Sequence, residues 1–161
     1  EGVADTRMEL TPDELAGTVD LFGALDRPTL RQACVELAFK QGADREPESF
    51  DDTIDNAVES YHLVAIEDDG TERLVAGPVA FPTLPEGARD LPHILDVEER
   101  TVPRERLAEA AERRFRDDAA DAIAADDRER IADLLDVSYE LDVWAPVEIS
   151  ATRTRLDEAL Q

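Results

Sequence analysis

The side chains that could act on a substrate or bind a transition metal are few and stand apart in the sequence. The chain has one cysteine, Cys34, and two histidines, His62 and His93. A structural zinc site requires closely spaced Cys and His ligands, so we expect no metal. No nucleophile motif accompanies His62. We therefore expect His62 to have a structural role. We expect no catalytic residue and a protein that is not an enzyme.

Carboxylates are abundant, and their number weakens any argument from their spacing. A pair of carboxylates can act as general acid and base, but one of them must be desolvated. The acids of the third predicted helix could gather a hard cation, yet no loop surrounds them, and a solvated helix face is the favoured interpretation. These acids are Asp51, Asp52, Asp55 and Glu59. The seven glycines are isolated, so no P-loop or dinucleotide fingerprint exists and no cofactor is expected.

A group of arginines in the C-terminal half is the best candidate for contact with nucleic acid or with a partner. It comprises Arg106, Arg113, Arg114 and Arg116. Arginine neutralises phosphates, which supplies most nonspecific affinity for DNA. Two of these arginines follow a glutamate by four residues, the spacing of ion pairs on a helix surface. The pairs are Glu109–Arg113 and Glu112–Arg116, and a salt-bridged helix face is the favoured interpretation.

Negative charge dominates the composition. Forty acidic residues stand against 17 basic ones, for a net charge of -23, and Lys40 is the single lysine. About a quarter of the chain is Leu, Ile, Val or Phe, which exceeds the roughly 20% below which disorder is expected. The acids are dispersed, with no run longer than 67–69, so they form a surface coat. This composition is typical of halophilic archaea that accumulate salt; the alternative is an acidic protein from a GC-rich genome.

The same composition indicates a cellular location. A lone cysteine fits a reducing compartment, and no apolar run approaches the roughly 18 residues of a membrane span. The first residues lack the basic and then apolar layout of a signal peptide. We expect a cytoplasmic protein with no membrane contact. Residues 1–8 are interpreted as a leader or a tag remnant.

The first two helices are predicted from their start and stop signals. Thr11, Pro12 and Glu14 provide an N-cap, a first-turn proline and a capping box, and Gly23 ends the first helix. A second helix begins at Pro28 and ends before Gly42. The apolar residues recur at helical spacing in both segments.

A third helix and a hairpin complete the predicted N-terminal module, residues 9–81. Ser49 is expected to cap the third helix, with Asp52 in the box position. Asp69-Gly70 predicts a hairpin between strand-like runs at 62–67 and 73–76. Three helices followed by a hairpin is the order of a winged helix-turn-helix. The predicted fold is therefore mainly α with small β, with a winged helix-turn-helix-like N-terminal module.

The remainder is predicted as a proline-containing connector, 82–102, and a helical C-terminal extension, 103–161. Prolines interrupt regular structure in the connector. The extension is expected to contain helices from Pro103 to Ala125 and from Arg128 to Leu135, followed by a half-buried strand at 137–143 where apolar and polar residues alternate. Ser150 is expected to cap a last helix. Tyr139 and Trp144 are expected in the core.

Three segments resemble a family of small acidic haloarchaeal proteins: MELTPDELAGTVDLFGAL, AVESYHLVAIE and GPVAFPTLPEGARDLPHILDVEERTV. The resemblance covers most of the chain from Met8 onward. It implies a halophilic origin, a cytoplasmic location and a winged-helix-like N-terminal part. It implies no activity and no catalytic residue.

Two functions remain open from the sequence. A winged helix contacts DNA through its third helix, but no Lys or Arg lies between Phe50 and Tyr61, and such a helix should repel the duplex. We therefore expect a non-enzymatic protein-interaction module of a halophilic archaeal cytoplasm, with a protein partner or self-association. The alternative is a winged-helix DNA-binding transcriptional regulator that uses Arg113 and Arg114. An enzyme would need a pocket with a histidine beside a buried carboxylate.

Overall fold

A computed structural model describes residues 10–161. The chain divides into two compact units, Glu1–Val102 and Pro103–Gln161. Within the described residues the protein is mainly helical and has one two-stranded antiparallel sheet. This confirms the prediction of a mainly α protein with small β. The expected leader, residues 1–8, lies outside the described residues.

Helices α1, Pro12–Phe22, and α2, Arg27–Lys40, open the first unit. The predicted capping box of α1 is confirmed, because Glu14 N donates to Thr11 Oγ1 and Thr11 N donates to Glu14 Oε1, each at 3.0 Å. Gly23 ends α1 with a φ of 86°. The two helices thus begin and end where the local signals predict, within one or two residues.

Helix α3, Asp51–Glu59, follows a 3-10 turn at Pro47–Phe50. The prediction that Ser49 caps this helix is wrong, because the Ser49 hydroxyl donates to Glu46 O at 2.7 Å. Pro47 is the cause. Its fixed φ suits the first position of a helical turn, so the chain begins to coil before Ser49 is reached.

Strands β1, Leu63–Asp68, and β2, Thr71–Ala76, form the predicted hairpin. Asp69 and Gly70 have φ of 55° and 79°, the left-handed conformation that a two-residue type I′ turn requires. Leu25, between α1 and α2, forms an antiparallel bridge with Leu74 that was not predicted. The expected order of three helices followed by a hairpin is confirmed.

The core of the first unit lies among the three helices, the hairpin and the segment after it. Its large side chains are Leu15, Val19, Phe22, Leu30, Leu37, Phe50, Ile54, Leu63, Leu74 and Leu91. Leu91 begins the short helix α4, Leu91–Leu95. The segment expected as a connector therefore packs on the first unit, and burial of its apolar side chains stabilises that unit by about 25 cal/mol per Å².

The second unit consists of α5, Arg104–Ala124, α6, Arg128–Trp144, and α7, Ser150–Leu160. These three helices pack on one another. Their buried apolar side chains include Ala111, Phe115, Ala119, Ile131, Leu134, Val137, Leu141, Ile149 and Leu156. Ser150 is the first residue of α7 and does not cap it, contrary to the prediction.

The predicted strand at 137–143 is wrong, because these residues continue α6. Asp127 caps this helix by accepting the Arg130 N–H at 3.1 Å, and no Gly or Pro interrupts it before position 146. The alternation hid a helical stripe, since Val137 and Leu141 also lie three or four residues from apolar neighbours on the buried face. A helix buries this stripe and satisfies its own backbone, whereas a strand would need a partner strand.

Among residues 10–161, none of the helices has both the length and the hydropathy that a membrane-spanning segment needs.

Candidate functional site

The arginines predicted as a contact group all lie on α5, and ion pairs engage Arg114 and Arg116. Arg114 Nε lies 3.2 Å from Asp118 Oδ2, and an Arg116 nitrogen lies 2.8 Å from Glu112 Oε1. Arg116 also donates to Glu148 O at 3.0 Å. The guanidinium groups of both residues are therefore held by acceptors of the same unit and are less available to phosphates.

Arg106 and Arg113 are exposed. Arg113 makes no ion pair with any residue of the described range, so the expected pair with Glu109 does not form there. An open groove on α5 is lined by Glu109, Glu112, Arg113, Arg116 and Asp117. Three carboxylates and two guanidinium groups line this groove, which makes it a poor surface for a phosphate backbone.

The acidic face of α3 is partly neutralised by α2. Arg31 binds Asp51 with two nitrogens, at 2.7 and 3.0 Å, and Arg27 lies 2.7 Å from Asp55 Oδ1. The hydrogen bond from Arg31 is the main cause that lowers the pKa of Asp51. Asp52 remains exposed. The third helix is thus less negative than its own sequence indicates, because a neighbouring helix supplies the arginines.

His62 lies between a serine and an aspartate. Its Nδ1 is 2.7 Å from Ser60 Oγ, and its Nε2 is 3.6 Å from Asp13 Oδ1. A chain of Ser, His and Asp can activate a nucleophile when the base is oriented by a hydrogen-bonded third group. Here the distance to the carboxylate exceeds a hydrogen bond, and Ser60 Oγ also lies 3.2 Å from Ala57 O, to which it donates. Asp13 Oδ1 instead accepts a backbone N–H from the segment after β2.

The loop after β2, residues 77–85, presents an aromatic ring to solvent and is called the Phe81 loop. Phe81 is 79% exposed. Its N–H donates to Asp13 Oδ1 at 3.0 Å, so the carboxylate beside His62 also fixes the backbone that carries the ring. Phe81 is therefore a large apolar side chain that is exposed on a backbone held by a hydrogen bond.

Contacts with α1 hold the far side of the Phe81 loop. Thr83 N donates to Asp13 O at 3.1 Å, and Thr83 Oγ1 donates to Phe81 O at 3.0 Å. Gly17 permits this approach, because a Cβ at position 17 would lie 2.1 Å from Thr83 O. The loop backbone therefore packs directly on the glycine of α1.

Contacts with the end of α3 hold the near side of the loop. Val79 N donates to Tyr61 O at 3.2 Å, and Gly77 N donates to His62 O at 2.8 Å. Tyr61 is fully buried and has a φ of 66°, which a bulky residue rarely adopts. A backbone of this kind costs about 1–3 kcal/mol and persists only where its surroundings impose it. Both ends of the loop are thus tied to the first unit.

The two aromatic residues expected in the core of the extension are not buried there. Tyr139 is 56% exposed, which contradicts the prediction, and Trp144 is half-buried. The misassigned strand explains the error, because Tyr139 faces away from the buried stripe of α6 once that segment is a helix. Together with Val143, Tyr139 forms an exposed apolar patch that was not predicted.

The remaining reactive groups are distributed as single residues. Cys34 is buried in the first unit, and burial raises the pKa of its thiol to about 12. His93 is exposed on α4. Across residues 10–161, no group of three or more His, Cys, Asp or Glu side chains converges as metal ligands.

These observations describe a mainly helical protein with a small antiparallel sheet, a fixed loop with an exposed ring and an exposed apolar patch on α6. The model of a family of unknown function, DUF7109, matches residues 13–161, and the chain belongs to this family. No curated protein and no solved structure matches the chain.

Proposed function

We propose that the protein is a non-enzymatic protein-interaction module of a halophilic archaeal cytoplasm and that the Phe81 loop is its main contact surface. The observation that carries the proposal is the exposed ring of Phe81 on a backbone tied to α1 and to the end of α3. Aromatic residues are enriched among the few side chains that dominate binding energy at protein interfaces. A fixed loop orders little further on binding, which lowers the entropic cost of association.

The acidic surface supports an apolar mode of contact. At molar salt the screening length is about 3 Å, so charges more than a few ångströms apart attract or repel weakly. Burial of a phenylalanine side chain is worth about 1.5–3 kcal/mol and depends little on such screening. On a surface with a net charge of -23, exposed apolar groups offer a mode of contact that molar salt does not screen.

The proposed habitat rests on the composition and on the resemblance of three segments to acidic haloarchaeal proteins. The excess of carboxylates and the single lysine make the surface strongly hydrophilic, which suits a salt-rich cytoplasm. The lone buried Cys34 fits a reducing compartment.

Affinity purification from source cells at molar KCl tests the function, with the chain and two variants as baits. Phe81→Ser removes the proposed contact, and Phe39→Ser removes another exposed phenylalanine, which is 71% accessible. We expect one set of proteins, or additional copies of the chain, to be retained by the wild type and by Phe39→Ser but lost with Phe81→Ser. Equal retention by all three baits would refute the role of the loop.

A DNA-binding regulator is the second candidate, favoured by two observations. Leu25, which lies in the chain between the first two helices, forms a bridge with Leu74 and so adds a third strand-like contact to the hairpin, in keeping with a winged-helix order. The arginines of α2 also offset part of the negative charge of α3. Sequence-specific duplex binding at molar KCl that is lost on Asn56→Ala, or on joint substitution of Arg113 and Arg114, would favour this candidate over the first.

A further inference from the structure

The outward face of α6 carries an apolar ridge. Val143 is 83% exposed and Tyr139, one turn earlier, is 56% exposed. Ala132 is exposed two turns before Tyr139. Spacings of four and seven residues place these side chains on one helix face, and we call them the α6 ridge. The ridge lies opposite the buried stripe of α6, so packing within the second unit does not account for its apolar character.

The ring of Tyr139 is held in place. The Arg153 guanidinium carbon lies 4.5 Å from the centroid of the ring. Arg153 is itself fixed, because Nε donates to Ser138 Oγ at 2.8 Å and a terminal nitrogen donates to Ser138 O at 2.9 Å. That nitrogen also donates to Asp142 Oδ2. The ridge therefore offers an aromatic anchor whose orientation is set in advance, which reduces the side-chain entropy lost on binding.

The charged side chains of α6 between Ala132 and Val143 are all carboxylates, whereas the adjacent guanidinium of Arg153 is engaged by Asp142. Residues 131–152 contain five carboxylates and no Lys or Arg. Asp133, Asp136 and Glu140 are exposed and form no ion pair with any residue from 10 to 161. Asp136 and Glu140 are four residues apart, and like charges at this spacing destabilise a helix. A ligand that brings positive charge to this edge would relieve the repulsion.

Charge complementarity selects the occupant of the ridge. A second copy of the chain would place the same three carboxylates near their equivalents and would increase the repulsion. A helix with an apolar stripe bordered by Lys or Arg would pair both features at once, as amphipathic helices do in apolar grooves. Ion pairs that become partly buried in such a contact are screened by salt less than exposed charges are.

We propose that the α6 ridge binds a basic amphipathic helix of another protein. Tyr139 and Val143 contact the apolar stripe of that helix, and Asp133, Asp136 and Glu140 pair with its basic border. The proposal rests on the general interaction function proposed above, but it adds a second surface and a partner class. Its test does not involve Phe81.

The test uses a fluorescent helical peptide of about 18 residues, or five turns, with leucines on one face bordered by lysines. Fluorescence anisotropy at about 1 M KCl measures its affinity for the full chain, and a peptide with glutamate in place of lysine is the control. We expect Tyr139→Ala with Val143→Ala to weaken binding about tenfold or more. Asp136→Asn with Glu140→Gln should weaken it several-fold. Circular dichroism verifies that each variant is folded.

A matched pair on α7 controls for general attraction to an acidic protein. Asp157→Asn with Glu158→Gln changes the net charge by the same amount as Asp136→Asn with Glu140→Gln, at exposed positions of the same unit. We expect this control variant to bind the peptide with unchanged affinity. Equal weakening by both charge pairs, or equal affinity for the acidic peptide, would overturn the proposal. Sedimentation that shows a dimer dependent on Tyr139 and Val143 would replace the basic helix by a second copy.

The two proposals fail separately. If Phe81→Ser retains every partner while the peptide still depends on the α6 ridge, the role of the loop is refuted and the ridge remains. If the affinity of the peptide is the same for the ridge variants as for the wild type, while Phe81→Ser loses its partners, the basic helix is refuted and the interaction function remains.

Discussion

Replacement of Gly17 by alanine tests whether the Phe81 loop is fixed on α1. In most helices this change stabilises the protein, because alanine is about 1 kcal/mol more favourable than glycine in a helix interior. Here the added Cβ would lie 2.1 Å from Thr83 O and 2.7 Å from Thr83 N. These are backbone atoms of the loop, so no side-chain rotation can relieve the clash, and either the loop or the helix must move.

The expected magnitude follows from the contacts that the movement breaks. Displacement of the loop loses the hydrogen bonds from Thr83 N to Asp13 O and from Phe81 N to Asp13 Oδ1, each worth about 1 kcal/mol net. If the loop stays in place, the strain of overpacking costs about 1–3 kcal/mol. After the gain of about 1 kcal/mol in helix propensity, we expect the free energy of unfolding to fall by about 1 kcal/mol. For a unit of this size, that lowers Tm by roughly 4–8 °C per kcal/mol.

Thermal unfolding followed by circular dichroism at molar KCl measures this change, and hydrogen exchange locates it. We expect the amides of Phe81 and Thr83 to exchange faster in Gly17→Ala than in the wild type. Asp20→Ala is the control, because this exposed position of α1 accepts alanine without a clash. A Tm for Gly17→Ala equal to or above that of the wild type would show that the loop is not packed on α1 as described.

Three further predictions concern stability and reactivity. Because Arg31 lowers the pKa of folded Asp51, its ion pair stabilises the protein above the unfolded value of about 3.9 and this contribution is lost as pH falls through the folded value. Acid titrations should thus show Asp51→Asn less stable than wild type above about pH 5, with the two converging at lower pH, whereas a constant difference would contradict the pairing. Cys34 should react with a thiol reagent at pH 8 only at the rate of unfolding, since burial raises the pKa of its thiol to about 12, and rapid labelling of the folded chain would show that it is accessible. A decrease of KCl from molar to about 0.1 M, where the screening length is about 10 Å, should lower Tm, and an unchanged Tm would count against the halophilic habitat.

Local signals were sufficient to predict the first three helices and the hairpin of the first unit, but not helix α4. The cap at Thr11 and the Asp69-Gly70 turn each depend on a few adjacent residues. Both can therefore be recognised from the sequence alone. The Leu25 bridge could not be predicted in this way, because a single paired residue has no periodicity. The prediction that Ser49 caps the third helix was wrong for a related reason. Pro47 and Ser49 can each begin a helical turn, and the hydrophobic pattern does not show which of them does.

The surfaces were harder to predict than the elements. Phe81 lies in a proline-containing segment without a repeating pattern, and such a segment does not indicate whether a ring is buried or exposed. Its fixation requires Asp13 and Gly17, which are more than 60 residues away in the sequence. Tyr139 is exposed because residues 137–143 are helical. Over these seven residues the apolar side chains fit both the alternation of a strand and the stripe of a helix, so the sequence did not distinguish the two. The pairing of Asp51 with Arg31 likewise depends on tertiary structure.

Site-specific photocrosslinking tests the central claim most directly. A photoreactive phenylalanine analogue replaces Phe81 in one variant and Phe39 in another, and both are irradiated in source cells. The proposed function predicts that position 81 forms crosslinks to a discrete protein, or to a second copy of the chain, and that position 39 does not. Absence of crosslinks at position 81, or the same products at both positions, would contradict the claim that the Phe81 loop is an interaction surface.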